Sequence, residues 1–180
     1  VSVPDPIVRS AWERRVNSPQ SSAAGRLFDA ASAIILGLGE TSFEGQGPMW
    51  LEAIARDPAA FPRLELRATV EGRLELDWAP LVDWLLQASP TSAAGRADCA
   101  GAVHASLADG IVQVADRLRA LSGSSVVGLT GGVFQNRRLT EAALAGLSAR
   151  GFDVLLPVQL PCNDGGLSYG QVADFIGRKV

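Results

Sequence analysis

The 180-residue sequence contains very little histidine and cysteine. Its one histidine, His104, cannot supply a site that needs several histidine ligands, and Ser–His or Cys–His catalysis needs partner groups that no local pattern provides. The two cysteines, Cys99 and Cys162, are too few and too far apart in sequence to indicate a disulfide framework or a zinc ribbon. We therefore expect a reducing, cytoplasmic setting and a structural role for His104. If the protein uses a metal, most of its ligands come from elsewhere.

Long apolar runs and extended basic clusters are also missing. No apolar run approaches the roughly 20 residues that span a bilayer, and residues 1–6 lack the basic and apolar segments of an export signal. Basic residues cluster no further than adjacent pairs such as Arg14-Arg15 and Arg137-Arg138, in a chain with a formal net charge of −3. We expect no membrane or nucleic-acid partner, so an anionic ligand would be held locally, mainly by backbone groups.

The length and the 47% hydrophobic content fit one globular domain or one lobe of a larger domain. Apolar spacing predicts a helix from about Leu27 to Ile35, with Ser21 or Ser22 as N-cap and Gly37 as the stop. Only the two ends look loose. The other predicted elements of this part are a short helix after Pro48, a β-hairpin at residues 63–78, a helix beginning at Pro80, and a long amphipathic helix at residues 100–121.

The last third of the sequence reads as a compact α/β unit. A strand at residues 125–129, a helix at 138–149 and a strand at 152–156 predict two parallel neighbours joined by a right-handed crossover, followed by a helix at 167–177. Loops after the carboxyl ends of parallel strands meet at one edge of the sheet, where ligands bind. The pattern therefore places "TGGVFQN" beside "PCNDGG".

Gly131-Gly132 follows the first of these strands. Glycines leave backbone N–H groups unobstructed, and the helix behind them presents a positive dipole end, a combination that holds phosphate; the alternative is a tight turn. Asn136 could cap that helix or hydrogen-bond a nucleoside. The stretch is not a Walker loop, because no Gly-Lys-Ser/Thr follows.

The acidic candidates each have a plain structural alternative. Asp164, before Gly165-Gly166, is either part of a turn and helix cap or a metal ligand beside a phosphate. Asp29 either pairs with Arg26 on one helix face or accepts hydrogen bonds from a ribose. Cys162 could be a nucleophile, but the sequence shows no partner base for it. The loop "FEGQG", residues 43–47, is a turn unless it faces the same cleft.

Four stretches, taken together and in order, resemble one family. "SSAAGRLFDAASAIILG", "FEGQG", "LTGGVFQNRRLTEAAL" and "LPCNDGGLSYGQ" resemble the C-terminal part of HypF, the carbamoyltransferase family of [NiFe]-hydrogenase maturation, over about residues 17–175. That family is related to the TsaD/Kae family and to the actin-like, sugar-kinase and Hsp70 ATPase (ASKHA) fold. The resemblance implies a helix-rich α/β second lobe of this fold, with a short parallel sheet and a β-hairpin.

The resemblance also implies a chemistry. HypF proteins convert carbamoyl phosphate and ATP, through carbamoyl-adenylate, into a carbamoyl group on the C-terminal cysteine of HypE, the precursor of a cyanide ligand. Matched motif by motif, Asp29 and Gly45 would hold the nucleoside. Gly131 and Gly132 would approach the phosphate, and Asn136 would contact the nucleotide. Asp164 would ligate a divalent metal, and no catalytic residue is implied.

The departures from the family define what we expect to be missing. The family's metal-binding His-x-x-x-His pattern and its N-terminal domains have no counterpart in residues 1–180, so we expect a single-lobe fragment that is inactive alone. In "EGQG", the following Pro48 departs from the usual alanine-rich continuation. One alternative is a non-catalytic binding module that forms a homodimer or docks on a maturation partner or the missing lobe. A TsaD-like tRNA-modifying lobe is disfavoured by the acidic charge and by "FQN".

Overall fold

A computed structural model describes residues 5–178, which form seven α-helices, two two-stranded sheets and two short 3-10 helices. In chain order the elements are α1 (Pro6–Glu13), α2 (Ala24–Leu36), α3 (Gln46–Ile54), β1 (Glu65–Ala68), β2 (Leu74–Asp77), α4 (Ala79–Ala88), α5 (Ala93–Ser122), β3 (Val126–Gly128), α6 (Arg137–Ala149), β4 (Asp153–Leu155) and α7 (Leu167–Gly177). The 3-10 helices are Gly132–Gln135 and Asp164–Gly166. The helix-rich α/β class expected from the sequence is confirmed.

Helix α5 is the centre of the molecule. Helices α2, α3, α4 and α6 and strand β1 all pack against it. The helix begins seven residues before the predicted start, because the Ser92 hydroxyl accepts a hydrogen bond from the Gly95 N–H at 3.0 Å and caps it. Residues 93–99 are mostly small or polar and gave no apolar period. The buried residues of the core are Phe28, Ile35, Leu51, Leu64, Leu81, Leu85, Cys99, Val103, Leu107, Val112, Leu129, Leu139, Leu147 and Phe152, with several alanines.

Gly101 allows α5 to approach the chain segment that follows α3. A Cβ atom placed on Gly101 would lie 1.8 Å from the carbonyl oxygen of Arg56. The Arg56 N–H donates to the Ala97 carbonyl at 3.3 Å, and the Arg56 guanidinium forms a two-pronged ion pair with Asp98. This hydrogen-bonded pairing lowers the pKa of Asp98. The close approach of α5 to the segment around Arg56 therefore requires a residue without a side chain at position 101.

The predicted hairpin is confirmed. Strands β1 and β2 are antiparallel, and the turn between them closes with the Gly72 N–H donating to the Thr69 carbonyl at 2.9 Å. The hairpin is anchored on α5, where the Ser106 hydroxyl donates to the Pro62 carbonyl at 2.7 Å. Leu76 packs so closely over Gly110 that a Cβ there would lie 2.8 Å from the Leu76 Cδ1.

The parallel pair is also confirmed, with shorter strands than predicted. Val126 pairs with Asp153, and Gly128 pairs with Leu155. Helix α6 connects the strands and packs on α5. Leu139, Ala143 and Leu147 form its buried stripe, which is the spacing expected of one helical face.

Two further predicted helix starts are wrong. Neither Ser21 nor Ser22 caps α2, which begins at Ala24 without a side-chain cap; the Ser21 hydroxyl only accepts a hydrogen bond from the Ala23 N–H at 3.2 Å. Helix α3 begins at Gln46, before Pro48. Proline is tolerated there because N–H groups of the first turn have no partner within the helix. Both errors concern the boundary and not the element.

Helix α1 was not expected, because the N-terminal region looked loose. Pro6 occupies its first position, and the Asp5 carboxylate accepts a hydrogen bond from the Ile7 N–H at 2.8 Å. The helix has no buried residue, and Trp12 is 69% exposed. Within residues 5–178, no helix combines the length and apolarity needed to cross a membrane.

Candidate functional site

Two glycine-containing loops meet at the carboxyl edge of the parallel pair. Past the last ladder position, the Leu129 N–H donates to the Leu155 carbonyl at 2.9 Å. Further along, the Gly131 N–H donates to the Cys162 carbonyl at 2.6 Å. The predicted apposition of "TGGVFQN" and "PCNDGG" is therefore present, and backbone hydrogen bonds hold it.

The two glycines of the first loop have different positions. Gly131 has φ 107° and ψ 154°, a region that is essentially restricted to glycine. Its N–H is directed to Cys162, so Gly131 shapes the turn and joins the loops. Gly132 is exposed and begins the 3-10 helix Gly132–Gln135. Of the pair, Gly132 is the residue that a ligand can approach from solvent.

Asn136 is buried and serves as the N-cap of α6. Its Oδ1 accepts a hydrogen bond from the Leu139 N–H at 2.9 Å, and its Nδ2 donates to His104 Nε2 at 2.9 Å. Of the two roles considered from the sequence, Asn136 therefore has the helix-capping role in the structure. Both functional atoms of the amide already have partners within the chain, and the residue is 8% exposed.

The positive end of α6 does not lie directly behind the glycines, which corrects the geometry expected from the sequence. The 3-10 helix Gly132–Gln135 separates them. The first N–H groups of α6, from Arg137 and Arg138, point to Glu52 Oε1 at 2.8 and 3.4 Å. A carboxylate at a helix N-terminus is stabilised by the dipole. Glu52 of α3 therefore fills the place where the sequence suggested an external anion.

His104 lies at the centre of the buried part of α5. It is 1% exposed, its Nδ1–H donates to the Ala100 carbonyl at 2.7 Å, and its ring lies 5.0 Å from the ring of Phe28. Because Nδ1 carries the proton, Nε2 is the acceptor for Asn136; this tautomer follows from the hydrogen-bond network. Burial lowers the pKa of His104, and Arg138 lowers it further, while the Ala100 hydrogen bond and Glu52 oppose the shift.

This depressed pKa predicts a pH dependence of stability. Since the folded state holds His104 neutral more strongly than the unfolded chain does, the unfolded chain binds the proton first as pH falls. The contribution of His104 is complete above its unfolded pKa and is lost as pH falls towards the folded pKa. We expect the midpoint of urea unfolding to decrease below about pH 6.5, and to decrease less in His104→Phe. Equal pH dependence in both proteins would contradict this.

Asp29 is part of helix α2, and Gly45 directly precedes helix α3, which packs against α2. The Asp29 side chain is 35% exposed and pairs with Arg26 at 3.0 Å. The Ser32 hydroxyl donates to the Asp29 carbonyl at 2.8 Å, and a Cβ at Gly47 would lie 2.2 Å from that hydroxyl oxygen. The loop that contains Gly45 therefore packs one turn along α2 from Asp29. Helix α2 also contacts Gly132–Gln135.

Asp164 is exposed at the start of the 3-10 helix Asp164–Gly166. Its neighbour Asn163 caps that helix, with Oδ1 accepting from the Gly165 N–H at 3.0 Å. Across residues 5–178, no group of three or more His, Cys, Asp or Glu side chains is arranged to hold a metal ion. Asp164 can supply one carboxylate, and the half-buried Cys162 enters the site through its carbonyl oxygen.

Sequence reasoning missed Glu52 and the pairing of His104 with Asn136. Glu52 sits in "MWLEAIARD", where the helical period says nothing about a partner 85 residues away. A buried histidine 32 residues before an N-cap asparagine gives no local signal either. Neither contact can be predicted from the spacing of residues along the sequence, because each joins one helix to the start of another.

The architecture and the paired loops define an α/β lobe with a candidate ligand site at one edge of its parallel strand pair. Residues 3–171 match the family described as "Carbamoyltransferase, Kae1-like Domain, second subdomain", and the chain belongs to this family. Within it the relatives are HypF proteins. The chain is 39% identical to carbamoyltransferase HypF of Rhodobacter capsulatus, over 94% of this chain and 22% of that protein. It is 35% identical to a HypF homolog of Cupriavidus necator, over 91% of this chain and 43% of that protein.

Solved structures give the same result. A crystal structure of full-length HypF in a phosphate- and nucleotide-bound form superposes with a TM-score of 0.85 at 30% identity, over 94% of this chain and 22% of that one. The HypF structure from T. kodakarensis superposes with a TM-score of 0.71 at 27% identity, over 95% of this chain and 22% of that one. The resemblance seen in the sequence is confirmed. The chain spans about a fifth of the length of these two solved chains.

Proposed function

We propose that this chain is the nucleotide-facing second lobe of an actin-like ATPase (ASKHA) fold in a HypF-type carbamoyltransferase. The whole enzyme would convert carbamoyl phosphate and ATP into carbamoyl-adenylate and transfer the carbamoyl group to the C-terminal cysteine thiol of HypE. The family match and relatives named carbamoyltransferase HypF support this proposal. So does the likeness to a HypF structure described as phosphate- and nucleotide-bound.

The observation that carries the proposal is the hydrogen bond from the Gly131 N–H to the Cys162 carbonyl. It fixes two glycine-containing loops side by side at the carboxyl edge of a parallel strand pair. Ligands of open α/β sheets bind at this edge. A turn with only a local role would not need a second loop anchored beside it.

Within this site the residues have separate proposed roles. The exposed Gly132 peptide would approach the phosphate, and Gly131 would give the loop its shape. Asp29 would accept hydrogen bonds from the ribose, and Gly45 would let the α3 loop approach the nucleoside. These residues fit a nucleotide, since Asp29 is partly exposed and Gly132 carries no side chain. The amide of Asn136 already has hydrogen-bond partners within the chain, so we assign this residue a role in positioning the turn.

A divalent ion fits this site only with ligands from outside the residues described. The exposed Asp164 would hold it through one carboxylate oxygen. When bound, the ion would neutralise charge between that carboxylate and the phosphate. Asp164 would thus supply one ligand of the ion, beside the turn that contains Gly131 and Gly132.

Because the Rhodobacter capsulatus relative is about five times as long as the matched region, we propose that transfer needs further parts of the enzyme. We expect the 180-residue chain, mixed with carbamoyl phosphate, ATP and HypE, to give no thiocarbamate on HypE by intact-protein mass spectrometry. A HypE mass increase that depends on this chain would contradict the expectation.

The nucleotide assignment predicts a loss of ATP affinity in Asp29→Ala. A hydrogen bond to a charged group contributes about 1.5–3 kcal/mol, so the Kd for ATP should rise roughly tenfold or more. The measurement is calorimetric titration with ATP and Mg²⁺. The matched control is Glu13→Ala, which removes an equivalent intrahelical arginine–carboxylate pair on α1. Equal heats for the wild type and both variants would remove the assignment.

A further inference from the structure

Three hydrogen bonds in series link the start of α6 to the interior of α5. The Leu139 N–H donates to Asn136 Oδ1, Asn136 Nδ2 donates to His104 Nε2, and His104 Nδ1–H donates to the Ala100 carbonyl. His104 is 1% exposed and Asn136 is 8% exposed. The series includes Asn136, the last residue of the turn at residues 131–136.

Each step of this series determines the next one. The Ala100 carbonyl can only accept, so the proton of His104 must lie on Nδ1. At the other end, the Leu139 N–H requires Oδ1 of Asn136 on its side, so Nδ2 faces the ring and Nε2 must be an acceptor. A charged imidazolium would present a donor to the Asn136 donor and break the series. The neutral ring and the Leu139 N–H together fix which way the asparagine amide is turned.

The other side of the imidazole contacts α2. The Phe28 ring lies 5.0 Å from it with the planes inclined at 59°, and Phe28 is adjacent in sequence to Asp29. His104 thus contacts both the turn and the helix that carries the ribose candidate. Helix α2 also contacts the 3-10 helix Gly132–Gln135 directly.

We propose that His104 is a positioning residue, which orients the Asn136 amide through Nε2 and so sets the turn at residues 131–136 against helix α2. The contribution of His104 to nucleotide binding rests on the function proposed above, whereas its effect on the conformation of the turn does not. Ser106 provides a contrast within the same helix. It is equally buried and hydrogen-bonded, but to the Pro62 carbonyl beside the hairpin.

Amide hydrogen exchange tests the positioning role. His104→Phe keeps a ring but removes both nitrogens, and Ser106→Ala removes one buried hydrogen bond elsewhere on α5. The reporters are the N–H groups of Gly131, Phe134 and Asn136, which bond within the loops. We expect exchange at these groups to be about tenfold faster or more in His104→Phe than in Ser106→Ala, since a lost buried hydrogen bond changes an equilibrium constant by about that factor.

His104→Gln is the rescue variant. The Gln Oε1 can occupy the position of Nε2 and accept from Asn136, so we expect exchange at the three reporters closer to wild type than in His104→Phe. Equal acceleration in His104→Phe and Ser106→Ala, or no acceleration in His104→Phe, would overturn the proposal. So would a His104→Gln that exchanges as fast as His104→Phe.

A measurement on the unsubstituted chain keeps the proposal testable if a variant fails to fold. Nitrogen-15 shifts of His104 near neutral pH should show Nδ1 protonated and Nε2 unprotonated, with a through-bond coupling to Asn136 Nδ2. An Nε2-protonated tautomer or an imidazolium would refute the series. None of these measurements needs nucleotide, so a chain that fails to bind ATP would count against the proposed function alone.

Discussion

Replacing Gly101 with alanine is expected to lower the free energy of unfolding by about 3 kcal/mol or more, the upper part of the range for overpacked sites. The added Cβ would lie 1.8 Å from the Arg56 carbonyl oxygen, a backbone atom that no side-chain rotation can move away. Helix α5 and the segment after α3 would have to separate. Urea denaturation followed by circular dichroism measures the change, and a loss below about 1 kcal/mol would show that the segment yields easily.

The control for this substitution is Gly25→Ala in α2. No atom lies within 4 Å of a Cβ built at Gly25, so the change adds helix propensity without a clash. We expect stability to stay the same or to rise by up to about 1 kcal/mol. The comparison separates the steric effect at Gly101 from the general effect of replacing a helical glycine.

Asn136→Leu is expected to lower the free energy of unfolding by about 2–4 kcal/mol. Loss of the N-cap costs about 1 kcal/mol, and His104 Nε2, buried without its donor, adds roughly 1–3 kcal/mol. The matched variant is Asn163→Ala, because Asn163 also caps a helix but does so at the surface. We expect Asn163→Ala to cost less than about 1 kcal/mol.

Thermal and urea unfolding of the two asparagine variants measure this difference. If both substitutions cost the same, Asn136 would be only a helix cap and its bond to His104 would contribute little. A double-mutant cycle with His104→Phe resolves the pair directly. Residues in contact usually show a coupling of about 0.5–3 kcal/mol, so a coupling near zero would contradict the arrangement.

The position of Glu52 changes how an anion can bind at this site. The sequence suggested a helix dipole behind the glycines, but the N–H groups of Arg137 and Arg138 already face the Glu52 carboxylate. A phosphate at the end of α6 would meet a negative charge. Gly132 is exposed outside these contacts, and Asp164 lies on the adjacent loop. Under the proposed function, a divalent cation would offset the charges of Asp164 and the phosphate.

Several local features were correctly predicted because they depend on neighbours in sequence. Alternating apolar residues around Glu71-Gly72 specify the hairpin, and the three- and four-residue spacing from Val103 to Leu118 specifies most of α5. The strand–helix–strand order at residues 125–156 specifies parallel pairing. The boundaries were less accurate, because Ser92 extends α5 through a stretch that has no apolar period.

The sequence alone therefore determined most of the element types, the parallel pair with its two adjacent loops, and the family to which the motifs point. The tertiary structure decided which residues of the candidate site are exposed and which support the loop from below the surface. Gly101 against Arg56, Glu52 against α6 and His104 against Asn136 are all contacts between distant segments. A periodic pattern shows which face of a helix is buried, but it cannot show what that face meets, because the partner is set by how the helices pack in space.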